Sequence, residues 1–191
     1  MKGATANFYV DDAMIPRVVD TRVFHAGGVG LMDAMDKGQS AVVMKAAKAA
    51  GATTTVDVFA GSPKDLPAIA SVLPYTDYFM PSIEEAQALT GRSDMADMPK
   101  AFIDLGVTRC VFTLGGDGAY YHHRDGTVFK VPAFEIAVKC TCGCGDAFNA
   151  GFAVGLVKGF DAETTVRFAQ ATSALNATGL GSQAGVTSFE H

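Results

Sequence analysis

The chain has 191 residues, 49% of them apolar and 18% charged, with 15 Lys+Arg against 20 Asp+Glu for a formal net charge of −5. Such a length and apolar content suffice for one domain around a buried core and exclude disorder, which needs the reverse balance. The acidic excess speaks against a nucleic-acid partner, because phosphate binding draws on clustered basic surface.

In chain order, Asn7–Val10 and Arg22–Ala26 read as short strands, the second leading into Gly27-Gly28. Ser40–Ala50 has a helical pattern, with Gly51 where a C-cap belongs. Thr53–Ala60 is a β-branched strand that stops at Gly61-Ser62-Pro63; a helix is expected over Lys64–Leu73, then a strand at Tyr78–Met80 running into Pro81. Ser82 can cap a helix that continues to Thr90, with Glu85 at the third helical position in a capping-box spacing. Met98–Leu105 reads as helix, Cys110–Leu114 as strand, and Gly115-Gly116-Asp117-Gly118 as a tight turn. Ala119–His122 and Val128–Val131 flank Arg124-Asp125-Gly126, a hairpin signal. Two longer helices, about Cys144–Lys158 and Ala162–Thr178, complete the pattern. Such alternation predicts a single α/β domain with a mainly parallel sheet, in which ligands bind beyond the carboxyl ends of the strands.

The longest apolar run, 147–157, is interrupted by Asn149 and closed by Lys158, far short of a membrane span. Met1–Thr5 carries no apolar segment of a secretion signal. Four cysteines stand at 110, 140, 142 and 144, and the single-residue spacing of the last three is too short to staple a secreted scaffold. A reducing, cytoplasmic setting without a membrane partner is expected.

The chemistry concentrates in Cys140-Thr141-Cys142-Gly143-Cys144-Gly145-Asp146-Ala147-Phe148, between a hairpin and an apolar helix. Its two glycines permit a turn that aims successive backbone N–H groups outward at a helix N-terminus, a nest that favours an anion. Asp146 falls in the first turn of that helix. It is either an acidic residue stabilising the helix dipole or a general base beside the anion site, placed to take a proton from a hydroxyl nucleophile. The three cysteines also suggest a metal cluster, but zinc ligands are usually spaced by two or more residues, and small half-buried core cysteines are the simpler expectation. His122 and His123 alternate on a strand and cannot act as a pair. Glu84-Glu85 after Pro81-Ser82 is either a solvated helix start or a water-mediated metal contact.

Taken together, these segments resemble one family. Residues 143–152, Gly-Cys-Gly-Asp-Ala-Phe-Asn-Ala-Gly-Phe, resemble the second signature of the ribokinase-like (PfkB) carbohydrate kinases, usually Asp-Thr-x-Gly-Ala-Gly-Asp-x-Phe. Thr113-x-Gly115-x-x-Gly118 matches the family's nucleotide loop, and Pro81-Ser82-x-x-Glu85 stands where the family has Asn-x-x-Glu. Arg167–Ala171 through Gly181 follows the family's adenine-side helix and loop. The resemblance implies a Rossmann-type three-layer α/β/α fold and transfer of the γ-phosphoryl of ATP to a sugar or nucleoside hydroxyl, with Mg²⁺. Asp146 matches the catalytic base, and the N–H groups of Gly143, Cys144 and Gly145 match the anion hole. Thr113, Gly115 and Gly118 match the phosphate loop, Ser82 lies near the phosphates, and Gln170 and Gly181 border adenine or its ribose. Glu85 matches the acidic residue that organises Mg²⁺ and its waters.

Three departures accompany the match. Cys140 replaces an Asp that in many relatives helps hold an activating monovalent cation, and Ser82 replaces the usual Asn. The family's sugar-gripping first strand and Gly-Gly-x-x-x-Asn signature have no counterpart in 1–191. The expectation is therefore an N-terminally truncated kinase domain, with 1–12 a remnant of the lid and Phe8-Tyr9-Val10 its strand. Such a piece exposes a sheet edge, which predicts pairing into a homodimer. The alternatives are a non-catalytic nucleotide-binding domain and a cysteine-based metal protein.

Overall fold

A computed structural model describes residues 3–186 and 188. Its helices and strands, in chain order, are α1 (Ile15–Val19), β1 (Val23–Val29), α2 (Gln39–Ala49), β2 (Thr53–Val58), α3 (Leu66–Ala70), β3 (Tyr78–Phe79), α4 (Ile83–Thr90), α5 (Met98–Ile103), β4 (Arg109–Thr113), β5 (Ala119–His123), β6 (Val128–Val131), α6 (Cys144–Lys158) and α7 (Ala162–Ala177). The six strands hydrogen-bond in sequence order, and β1 to β4 run parallel. Five residues join β4 to β5 and four join β5 to β6. Those links are too short for a crossover, so both pairs are antiparallel hairpins. The strand–helix reading of the sequence thus holds: the fold is α/β with a mostly parallel sheet.

Several segments depart from that reading. No strand forms at 7–10; residues Gly3–Asn7 make a 3-10 turn, and Phe8 and Tyr9 are more than half exposed. A strand needs a partner ladder for its backbone groups, and β-propensity alone does not supply one. The helix expected over Lys64–Leu73 is broken into a 3-10 turn (Pro63–Asp65), the short α3 and a second 3-10 turn (Leu73–Tyr75). Pro67 and Pro74 explain the breaks, since each removes a backbone donor and restrains the residue before it. Gly27 and Gly28, conversely, do not end β1; the strand continues to Val29 through a register shift.

The chain divides into two compact units, one comprising 1–112 and 122–128, the other 113–121 and 129–191. In the first, β2 is buried on both faces, as a central parallel strand should be. Phe79, Phe102 and Phe112 are fully buried, with ring centroids 4.6 Å and 6.1 Å apart in sequence along the trio. Asp77 ties β2 to the approach of β3: its carboxylate accepts from Lys48 Nζ at 2.8 Å and from the Thr54 N–H at 2.9 Å. Burial raises the Asp77 pKa, but the hydrogen bonds from Lys48 and Thr54 and the Lys48 charge outweigh it and hold the carboxyl below its ordinary value.

In the second unit α6 and α7 lie side by side. A Cβ at Gly151 would stand 2.5 Å from Thr172 Oγ1, and one at Gly155 would stand 2.9 Å from Thr165 Cγ2. The two glycines, four residues apart, therefore line the face of α6 along which α7 approaches.

Candidate active site

The second unit brings most of the predicted residues to the N-terminal end of α6. Gly143 is the N-cap, in the left-handed region at φ +73, and offers no capping side chain. A Cβ there would meet Ser182 Cβ and its carbonyl oxygen at 2.7 Å, so both conformation and space demand glycine. Gly145 and Asp146 are the second and third helical residues, whose N–H groups no helical carbonyl can reach. Of the three amides expected in an anion hole, that of Cys144 is already engaged: it donates to the Thr141 carbonyl at 3.2 Å and closes the turn.

The approach to α6 is anchored on α7. The N–H groups of Lys139 and Cys140 both donate to the Ala177 carbonyl, at 2.8 and 3.3 Å. Asn176, fully buried near the end of α7, donates through Nδ2 to the Cys142 carbonyl at 2.9 Å and to Cys144 Sγ at 3.6 Å. A carbonyl partner fixes which end of this amide is nitrogen, and Asn176 Oδ1 is left buried without a hydrogen bond among the described residues. Asn176 escaped the sequence reading. Its signal was an amide in a helix interior, where a short polar side chain is unfavourable unless it has work elsewhere.

Cys144 and Asp146 are two residues apart, roughly 200° around a helix, so they face opposite ways. Two cavities reflect this. One, of ≈ 500 Å³, is lined by Asp146, Ala150, Thr172, Asn176, Ser182 and Gln183, among others. The other, of ≈ 450 Å³, takes in Gly115, Gly116, Phe134, Ile136, Cys144 and Gln170. Its walls are mainly apolar, with polar groups at Glu135, Thr141, Gln170 and Ser173, the composition of a small-molecule pocket. The 133–138 segment that supplies much of this wall was not singled out in the sequence, because it has no regular structure. Its exposed Phe134 and Val138 are the trace it leaves.

Other predicted residues lie elsewhere or serve the backbone. Gly118, at φ +99, would place a Cβ 1.9 Å from the Val131 carbonyl; it shapes the turn, and it lines neither cavity. Thr113 ends β4 and also lies outside both linings. Gly181, at φ +113, lines neither cavity. Ser82 and Glu85 belong to the first unit, where they form a complete capping box on α4: the Glu85 N–H donates to Ser82 Oγ at 3.2 Å, and Glu85 Oε2 accepts from the Ser82 N–H at 2.9 Å. Cys142 is exposed, against the expectation of half-burial, while Cys140 and Cys144 are half-buried. Among the described residues no group of three or more His, Cys, Asp or Glu is placed to hold a metal ion. His123 pairs with Asp125 at 2.8 Å within the hairpin turn. Burial, with the charges of Lys100 and His123, lowers the His122 pKa.

The chain is similar to several known proteins. The family described as pfkB family carbohydrate kinase matches residues 2–188. The ATP-dependent 6-phosphofructokinase of Thermoanaerobacterium thermosaccharolyticum is 35% identical over 107 residues, 56% of this chain and 33% of that enzyme. The aminoimidazole riboside kinase of Salmonella enterica, solved with aminoimidazole riboside and an ATP analogue, superposes with a TM-score of 0.76 at 26% identity, over 86% of this chain and 59% of its own. A ribokinase II structure from E. coli with ATP and Mg²⁺ gives 0.76 at 25% identity, over 91% and 57%. The match thus spans about a third of the curated phosphofructokinase and under three-fifths of the two solved chains.

Proposed function

The chain belongs to the pfkB family of carbohydrate kinases, and we propose that it forms the nucleotide-binding and catalytic portion of an ATP-dependent kinase acting on a sugar or nucleoside hydroxyl. One observation carries the reading: an exposed carboxylate, Asp146, stands on the first turn of a helix whose N-terminus has no side-chain cap. Phosphoryl transfer asks a protein chiefly for positioning and electrostatics. The backbone N–H groups of Gly143, Cys144 and Gly145, with the helix dipole behind them, stabilise the transferring phosphoryl. The Asp146 carboxylate accepts the acceptor hydroxyl's proton as the oxygen attacks. The Cys144 amide joins the hole by turning from the Thr141 carbonyl, and because only its backbone acts, a Cys in place of the usual Ala is tolerated. Adenine takes the apolar cavity between 133–138 and Gln170, with Gly115 and Gly116 toward the phosphates.

Mg²⁺ is commonly held by one or two carboxylates plus substrate phosphates, and the family resemblance assigns that role, through water, to Glu85 on the first turn of α4. When bound, the ion neutralises charge on the phosphates. A monovalent cation does not fit the loop before α6. Cys140 offers a thiol where a hard cation wants oxygen. We read the whole of 1–191 as one catalytic-domain portion, cytoplasmic, with 1–12 from the lid and β1, bonded on one side only, as an edge open to a second copy.

The test is incubation with ATP, Mg²⁺ and a panel of pentoses, hexoses and nucleosides, with phosphate esters detected by ³¹P NMR. The expected result is an ester from at least one acceptor, abolished in Asp146→Asn while ATP binding persists. ATP binding without an ester from any acceptor would overturn the catalytic reading and leave a nucleotide-binding domain.

A further inference from the structure

The cysteines before α6 have no part in the chemistry above, and their arrangement is not that of core packing. Cys140 and Cys142 stand two residues apart on one loop, and the Cys142 N–H donates to Cys140 Sγ at 3.4 Å. Cys142 is exposed and open to a small reagent, and Cys140 is half-buried beneath it. Cys144 is set apart: it is the first residue of α6, and its sulfur faces the Asn176 amide at 3.6 Å. Cys110 is fully buried on β4 with its thiol against the Pro99 carbonyl.

We propose that Cys140 and Cys142 are a thiol modification site, which a hydroperoxide oxidises to a disulfide within the loop. The Cys140 thiolate attacks the peroxide: an S–O bond forms, the O–O bond breaks, and the departing alkoxide or hydroxide takes a proton. The Cys142 thiol then attacks the sulfenic sulfur, the S–S bond forms, and the hydroxyl leaves as water with the proton from Cys142. One peroxide is reduced and two thiols are oxidised.

The two sulfurs are suited to these separate roles. Hydrogen bonds from the N–H groups of Cys142 and Gly181 hold the Cys140 thiol below the usual thiol range, favouring the nucleophilic form. The hydrogen bond with Cys140, and its charge, push the Cys142 thiol up, as suits a resolving partner that keeps its proton until the second step. Burial pushes the Cys110 thiol far up, making it an unreactive internal reference. Because the pair directly precedes Gly143, closing the bond constrains the turn that aims the α6 amides. The site stands on the geometry of the loop alone, whether or not the chain turns over ATP.

The test is treatment of the full chain with hydrogen peroxide, alkylation of remaining thiols, and mass spectrometry of the tryptic peptide 140–158, which holds three of the four cysteines. The expected peptide is lighter by two hydrogens and alkylated once, at Cys144, and it reverts to three alkylations after dithiothreitol. Cys142→Ser is expected to stop at a sulfenic acid on Cys140 that dimedone traps. Cys140→Ser is expected to slow peroxide consumption about tenfold, since the favoured thiolate is gone. Both variants carry the change on a loop, and melting curves in reductant check that they fold. Three alkylated cysteines after peroxide, a bond through Cys144, a bond between two chains, or equal rates in Cys140→Ser and wild type would each overturn the proposal.

Discussion

Helices α4 and α6 each carry a carboxylate at the third helical position, Glu85 in one and Asp146 in the other, and the two ends have opposite fates. On α4 the N-cap is Ser82, extended at φ −66 and ψ 160, whose hydroxyl accepts the Glu85 N–H while Glu85 bonds back to the Ser82 N–H. On α6 the N-cap is Gly143, left-handed and without a side chain, so no reciprocal box can close. One helix start closes two donors in a reciprocal box, and the other has no cap side chain and an exposed carboxylate. An acidic first turn is therefore ambiguous by itself; the cap residue decides whether the carboxylate holds the helix or is free for chemistry.

The contrast can be broken most severely at α6. Asp146→Asn should lower phosphoryl transfer by about 10²–10⁴-fold, the range for loss of a positioned base. The exposed side chain should leave melting nearly unchanged. Equal loss of stability and turnover would show that Asp146 serves the helix dipole. Gly143→Ala should cost about 1–3 kcal/mol through its strained φ, and weaken binding of ATP measured calorimetrically as the turn is pushed off Ser182. Unchanged melting and affinity would mean that the turn tolerates a Cβ.

Asp77 supplies a carboxylate whose work is structural alone. Removing its charge in Asp77→Asn should cost about 1–3 kcal/mol by denaturant unfolding, since Lys48 loses its acceptor charge. Its folded pKa is depressed, so the stability it contributes is fully present above the unfolded value and is lost as pH falls through that value toward the lower folded one. In Asp77→Asn that part of the acid sensitivity should vanish; an unchanged pH profile of unfolding would refute the assignment. On α4, Ser82→Ala should cost about 1 kcal/mol, the ordinary worth of a cap. Glu85→Gln sharpens the contrast further. Turnover lost per folded molecule, with the Mg²⁺ requirement shifted upward, marks a metal role; a change in melting alone marks a cap and nothing more. The smallest effect concerns salt: exchanging K⁺ for tetramethylammonium should alter turnover less than about twofold, since the loop before α6 offers no oxygen-rich cation cage.

Much of this was legible in the linear chain. The β-branched run Thr53–Val58, the capping box at Ser82 and Glu85 and the two long helices follow from local propensity and cap chemistry, which act over a few residues. The order of glycine turns and the Gly-x-Gly-Asp segment likewise carried the family, which matches residues 2–188. The errors arose where local signals competed with distant ones. Phe8-Tyr9-Val10 has strand-forming residues but finds no ladder, and Pro67 and Pro74 break a pattern whose apolar spacing read as one helix.

Local chemistry along the chain settles most element types, the glycine positions that left-handed turns require, and the identity of Asp146 as a first-turn carboxylate. Only the tertiary structure decided what surrounds them: Asn176 reaching 34 residues back to the Cys142 carbonyl, Ser182 closing on Gly143, and Cys144 and Asp146 opening onto separate cavities. The reason is physical. Propensity and capping depend on neighbours within one turn of chain, whereas a buried amide, a cavity and a paired thiol depend on which distant backbone groups packing brings within hydrogen-bond reach.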